Sequence, residues 1–373
     1  MAPHCVLVTG VSRFLGGQLV ARLAANPNID RVLGVDVVPP PHDVLRRMGR
    51  AEFVRADIRN PLIAKVISGA SVDTVVHASL SADPSSSGGR SAMKEMNVIA
   101  TMQLLAACQK VSSVRRVVLR STTAVYGSSP RDPAVFDEAM TPKELPSDGY
   151  AKDTAEIEGY LRGFARRRPD VSVTVLRFAK VIGPRIDTVL TRYFALPLVP
   201  TVLGYDARMQ LLHEEDAVAV LERAASEELP GVFNVAADGV LLLSQAIRRA
   251  GRIPIAVPAA VVRPVSRILR GAGLVDFSPE QMCFLNVGQV VDIGRLHRQF
   301  GFIPRWTTAQ AFDDYVRGRA LRPVIAPERI ESLERGVLAL ARSMEPDHGH
   351  GGVVASGRAR AGPGRRSSRN RSQ

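Results

Sequence analysis

The sequence predicts an α/β fold, a doubly wound parallel sheet with a smaller lobe toward the C-terminus. Two observations carry that expectation. Short apolar runs without polar alternation read as strands covered on both faces, and helical spacing fills the intervals between them.

In chain order, Val6-Leu7-Val8 is the first strand, followed at once by the loop Thr9-Gly10-Val11-Ser12-Arg13-Phe14-Leu15-Gly16 and by helical spacing over 18–25. Val32-Leu33-Gly34-Val35-Asp36 is a second buried strand closed by an acid. Further strands are expected at 51–54, 74–77, 117–119 and 173–176, and helices over 92–108 and 151–167. Beyond Gly183-Pro184 the alternation loosens and prolines multiply, although 231–235 reads as a strand returning to the sheet. The division that follows places a dinucleotide domain at 1–180 with 206–240, and a substrate lobe at 181–205 with 241–325. Residues 326–347 read as an amphipathic helix with Leu333, Val337, Leu340 and Met344 on one stripe.

Composition narrows the class. Hydrophobic residues are 46% and charged residues 23% of the 373, as in a soluble globular protein. Cys5, Cys108 and Cys283 are widely spaced, which points to reduced thiols in the cytoplasm and away from a disulfide framework or a zinc site. The first apolar run ends in the glycine loop and is a strand, not a signal peptide, and no later run is long enough to span a bilayer. Of the net charge of +13, six arginines fall within 348–373, a Gly/Ser-rich stretch without acids that reads as a disordered tail. Such a tail is either a solvated extension or a contact for nucleic acid or an anionic surface. Arg46-Arg47 with Arg50, and Arg166-Arg167-Arg168, lack interleaved aromatics and read as solvated charge.

The glycine loop carries the functional signal. Strand, Gly10, Gly16, helix and then Asp36 twenty residues on is a Rossmann dinucleotide-binding arrangement. Glycine makes the tight turn, and the N–H groups at the helix start meet a pyrophosphate. An acid ending the second strand accepts hydrogen bonds from the adenosine ribose and repels a 2′-phosphate, so NAD is the expected cofactor.

These residues, with Ala56-Asp57-Ile58, Val75-Val76-His77-Ala78, Asn97-Val98, Ser121-Thr122-Thr123-Ala124-Val125-Tyr126-Gly127 and Val181-Ile182-Gly183-Pro184, carry a resemblance. Over 5–240, and more loosely to 325, the chain resembles the extended short-chain dehydrogenase/reductases, the NAD-dependent sugar-nucleotide epimerases and dehydratases typified by UDP-glucose 4-epimerase. The resemblance implies that Asp57 and Ile58 flank the adenine, that His77-Ala78 lines the cofactor and that Asn97 joins a polar network at the sheet edge. It also implies a nucleotide-sugar substrate and a homodimer paired through 92–110 and 150–168. Read locally, Asp57 is alternatively a helix N-cap before Pro61, and His77 a hydrogen-bonded core residue.

Two departures stand out. Arg13 occupies the place of the family's middle glycine, where it either restricts the backbone's approach, or turns outward to give the pyrophosphate a guanidinium, or marks a loop that holds NAD poorly. The second lies in the catalytic set of Ser/Thr, Tyr and a Lys four residues after the Tyr, which implies Thr122 and Tyr150 here but finds Thr154 at the lysine position. A phenol with an ordinary pKa is only ~0.1% ionised at pH 7. Misplaced general-base catalysis costs about 10²–10⁴ in rate. Lys152 could stand in only if residues 150–153 were irregular, because in a helix it points away from Tyr150. Tyr150 is then either the base of an altered acid–base set or a packing residue of a lapsed enzyme that senses ligands or binds a partner. His213-Glu214-Glu215-Asp216 reads as a helix start, not a metal site, and His348 with His350 make at best a weak one.

Overall fold

The computed structural model describes residues 3–83, 88–140, 149–258 and 284–324. The expected helix at 326–347, the tail at 348–373 and Cys283 lie outside the described residues.

The first half alternates strand and helix. It runs β1 (Cys5–Thr9), α1 (Phe14–Ala25), β2 (Arg31–Asp36), α2 (His42–Arg47), β3 (Glu52–Arg55), α3 (Ile63–Gly69) and β4 (Thr74–His77). Helix α4 (Arg90–Lys94) continues through a π-helical turn, Glu95–Ile99, into α5 (Ala100–Lys110), and β5 (Arg116–Thr122), α6 (Gly149–Arg167) and β6 (Ser172–Phe178) follow. The second half has shorter pieces: β7 (Lys180–Ile182), α7 (Val189–Ala195), β8 (Leu198–Val202), β9 (Arg208–Met209), β10 (Leu211–His213), α8 (Glu214–Ser226) and β11 (Gly231–Val235). After these come β12 (Leu241–Leu242), α9 (Leu243–Arg249), β13 (Ile253–Val257), β14 (Gly288–Gln289), α10 (Gly294–Arg298) and α11 (Thr308–Gly318).

The main sheet has seven strands in the order β11-β6-β5-β4-β1-β2-β3, every neighbour parallel. From β1 the chain winds outward through β2 and β3, then returns to β4 on the other side and winds through β5 and β6 to β11. The direction therefore reverses between β1 and β4, and a crevice opens there at the strand C-termini. Alternate side chains explain why β1 is apolar from Cys5 to Val8. Val6 and Val8 enter the core with Leu19, Val20 and Leu221, and Cys5 and Leu7 enter the opposite one with Leu104, Ile157 and Leu161. The strand at 231–235 returns to the sheet beside β6, with Val232 opposite Val175.

Three small sheets, β10-β7, β12-β9-β14 and β13-β8, stand apart from the main one. Tyr193, Phe194, Phe312 and Tyr315 fill the apolar core beneath them.

Candidate active site

Two glycines shape the start of the crevice. Gly10 turns at φ +77°, and a Cβ there would lie 2.7 Å from the Ser79 backbone. A Cβ on Gly16 would come within 2.3 Å of the Gly10 carbonyl oxygen. The loop can close onto the first turn of α1 only without those side chains. Gly17 N–H donates to the Arg13 carbonyl at 2.9 Å, so α1 begins at Arg13 as its N-cap.

Asp36 ends β2 beside the loop. Its Oδ2 accepts from the Ser12 N–H at 3.0 Å and from the Ser12 hydroxyl at 2.5 Å, and its Oδ1 accepts from the Val37 N–H at 2.8 Å. These bonds fix the carboxylate beside the loop, as a group that takes a ribose must be fixed. Glycines that a Cβ would block, a helix N-terminus facing the crevice and a clamped acid together fit a dinucleotide.

The crevice is a cleft of about 870 Å³. Arg13, Phe14, Leu15, Asp36, Ala78, Thr122 and Tyr150 all line it. Gly10 and Gly16 lie buried beneath the loop. The structure therefore gathers the loop, the acid and two of the three expected catalytic residues around one space.

The remaining expected residues lie elsewhere. Lys152 is exposed, because α6 is already helical from Gly149 and position 152 faces away from the buried side that holds Tyr150 and Thr154. Thr154 is fully buried, and its hydroxyl donates to the Tyr150 carbonyl at 2.8 Å. Asp57 neither caps a helix nor lines the cleft. Arg59, a cleft residue, holds the Asp57 carboxylate at 2.7 Å and keeps it below its usual range, while Ile58 packs in the core.

His77 is a hydrogen-bonded core residue. Its Nδ1 pairs with the Thr9 hydroxyl at 2.9 Å and its Nε2 with the Thr101 hydroxyl at 2.8 Å. Burial, with the nearby Arg120 charge, pushes its pKa down to about 3, so the ring is neutral. Asn97 sits in the π-helical turn, where its amide accepts from the Ser81 N–H at 2.9 Å and donates to the Ser81 carbonyl at 2.8 Å. It thus fixes the segment after β4 that forms one cleft wall.

Several charged residues that hold the cleft's elements were not signalled by the sequence. Arg90 grips the start of α6, donating to both Asp153 oxygens at 2.7 and 3.0 Å and to the Gly149 carbonyl at 2.8 Å. Below Thr122, the Ser121 hydroxyl donates to Glu158 at 2.5 Å, and Arg177 grips Glu158 at 2.7 Å and the Tyr126 hydroxyl at 2.7 Å. Burial works against the Arg177 charge, but the hydrogen bond and charge of Glu158 outweigh it and raise its pKa. Arg120, two residues before Thr122 on the same face of β5, also lines the cleft.

The second half of the chain supplies the facing wall. Glu214 is fully buried and accepts from the Arg185 side chain at 2.8 Å and from the Ile186 N–H at 2.8 Å. Arg185 lies over the Phe14 ring, 5.4 Å from its centroid, and Arg192 pairs with Asp83. The His213-Glu214-Glu215-Asp216 side chains diverge. His213 caps α8 and stacks on Trp306 at 4.3 Å, while Asp216 accepts from the Arg305 and Trp306 N–H groups at 3.0 and 3.1 Å.

A cleft of this kind, lined by the glycine loop and Asp36 at the switch point of a parallel sheet, is that of a dinucleotide-binding α/β protein. The sequence model of the NAD-dependent epimerase/dehydratase family matches residues 6–236, and the chain belongs to that family. NAD is the family's cofactor. An uncharacterized Mycobacterium tuberculosis protein is 56% identical over 340 residues, covering 91% of this chain and 90% of its own length. Among solved structures, Thermus thermophilus UDP-glucose 4-epimerase in complex with NAD superposes with a TM-score of 0.66 at 20% identity, covering 85% of this chain and 99% of its own. Bacillus anthracis dTDP-glucose 4,6-dehydratase with NAD gives 0.65 at 18% identity, with coverages of 85% and 96%. At these identities the two structures establish the shared fold.

Among the described residues, no helix is long and apolar enough to cross a membrane.

Proposed function

We propose that the protein is an NAD-dependent epimerase or dehydratase acting on a nucleotide-linked sugar through an altered acid–base set. The observation that carries this reading is the gathering of Thr122 and Tyr150 onto one cleft with Asp36 and the glycine loop. Gly10, Gly16, the start of α1 and Asp36 would hold NAD, which supplies the hydride acceptor and donor when bound. Thr122 would orient the substrate oxygen, and the Tyr150 hydroxyl would exchange the proton of that oxygen. Six basic residues, Arg13, Arg59, Arg120, Lys180, Arg185 and Arg192, line the cleft against three acids, Asp36, Asp83 and Asp187. A net positive wall suits a substrate that carries a pyrophosphate. The chain around 181–205 and 241–325 acts in this reading as the substrate lobe, and two copies pair through 92–110 and 150–168.

A panel of UDP- and dTDP-sugars incubated with the NAD-loaded protein tests this. Conversion of at least one is expected, and no conversion of any, with NAD demonstrably bound, would sink the reading. Thr154 in the lysine position and the outward Lys152 favour a second reading, a lapsed enzyme that binds NAD or a sugar nucleotide as a sensor. Tyr150→Phe decides between them: loss of a measured turnover rules out the lapsed enzyme.

A further inference from the structure

The arginines of the cleft fall into two groups. Arg59 pairs with Asp57 at 2.7 Å, Arg185 with Glu214 at 2.8 Å, and Arg192 with Asp83. Each of these charges already has a carboxylate. Arg13 and Arg120 do not. Among the described residues the Arg13 guanidinium makes no hydrogen bond or ion pair. The Arg120 guanidinium makes one, to the Leu80 carbonyl, and its Nε is buried without a partner.

The two groups also feel each other. Burial first, and then the Arg120 charge, hold Arg13 below the usual arginine range, with Asp36, Tyr150 and Asp83 acting in the opposite sense. Both side chains line the same cleft. Arg13 is the N-cap of α1, and Arg120 lies on the face of β5 that carries Val118 toward the α1 side of the sheet. Two neighbouring cations with unmet donors, beside the N–H groups of a helix start, call for an anion with more than one charged oxygen-bearing group.

We propose that Arg13 and Arg120 form a two-guanidinium clamp for the pyrophosphate of the bound dinucleotide. The proposal rests on the dinucleotide reading of the cleft, and it gives position 13 a purpose. Where glycine lets backbone approach phosphate, this chain offers two side-chain forks. It also distinguishes Arg120, a residue outside the glycine loop, from the paired arginines around it.

The test is calorimetry on the full-length protein, freed of bound nucleotide, titrated with NAD, ADP and adenosine. A hydrogen bond to a charged group is worth roughly 10- to 100-fold in affinity. Arg120→Met and Arg13→Gly should each weaken NAD and ADP by about that factor while leaving adenosine unchanged. Arg120→Lys, which keeps the charge, should recover part of the ADP affinity. Equal or tighter ADP binding by Arg13→Gly would make the side chain an obstacle and overturn the clamp. Adenosine weakened as much as ADP would show damage to the site, and would overturn it too. Because no turnover is read, absence of sugar-nucleotide conversion leaves this result standing. A wild-type protein that binds neither NAD nor ADP ends the clamp and the dinucleotide reading together.

Discussion

Arg90→Met removes the guanidinium that holds the first turn of α6. Asp153 beneath it has a fully buried side chain, whereas that of Arg90 is 35% exposed. Taking one partner from a buried pair leaves an uncompensated charge and costs about 3–5 kcal/mol. The exposed third of Arg90 lets water reach the remaining carboxylate, so the lower end, about 3 kcal/mol, is expected. That is a large share of a typical domain stability of about 5–15 kcal/mol. Urea unfolding followed by circular dichroism measures it. The double variant Arg90→Met with Asp153→Met removes the buried charge as well and should regain most of the loss. Turnover should behave differently, because both variants lose the arginine at the Gly149 carbonyl, directly before Tyr150. A single variant as stable as wild type, or a double variant no better than the single, would refute this account of α6.

Three further outcomes follow from the same structure. Gly16→Ala would press a Cβ to 2.3 Å from the Gly10 carbonyl oxygen, so the loop must move. Overpacking of about 1–3 kcal/mol and a loss of nucleotide affinity are expected from unfolding and calorimetry. His77, with its folded pKa pushed down to about 3, is neutral where the unfolded chain's imidazole is protonated. Between pH 6.5 and 3 the unfolded state therefore holds the extra proton, and stability falls as pH falls. Going from pH 6.5 to 5 should cost about 2 kcal/mol, and His77→Gln should lack that part of the slope; parallel pH profiles would contradict it. Glu214→Gln keeps the shape but weakens the hold on Arg185. Its affinity for a UDP-sugar should fall more than its affinity for NAD, and the reverse order would remove Arg185 from the substrate wall.

The parts of the site encoded locally were legible in the sequence. The turn, the helix start and the acid ending β2 are adjacent steps of one crossover, so spacing alone locates Gly10, Gly16 and Asp36. The strand expected at 74–77 is β4 to the residue. The helix expected only from residue 18, because Gly16 and Gly17 argue against a helix, starts earlier, at Phe14. Gly17 is there for space, since a Cβ would meet Val44 at 2.6 Å. Strands β8 and β13 were hidden by Pro200 and Pro254, which a two-stranded sheet accepts because, among the described residues, each strand has a free edge. Arg120, Arg90 and Glu158 were invisible for a different reason. Their partners lie 40, 63 and 19 residues away, and nothing local marks a charge as buried.

The cleft at the β1/β4 switch point is expected to hold NAD. The most direct measurement is the nucleotide content of the purified full-length protein, by absorbance and mass after mild denaturation, completed by titration with NAD where content is low. One NAD per chain is expected, bound by the wild type and lost in Gly16→Ala. A wild-type protein that carries no NAD and gives no heat with it, while remaining folded, would contradict it.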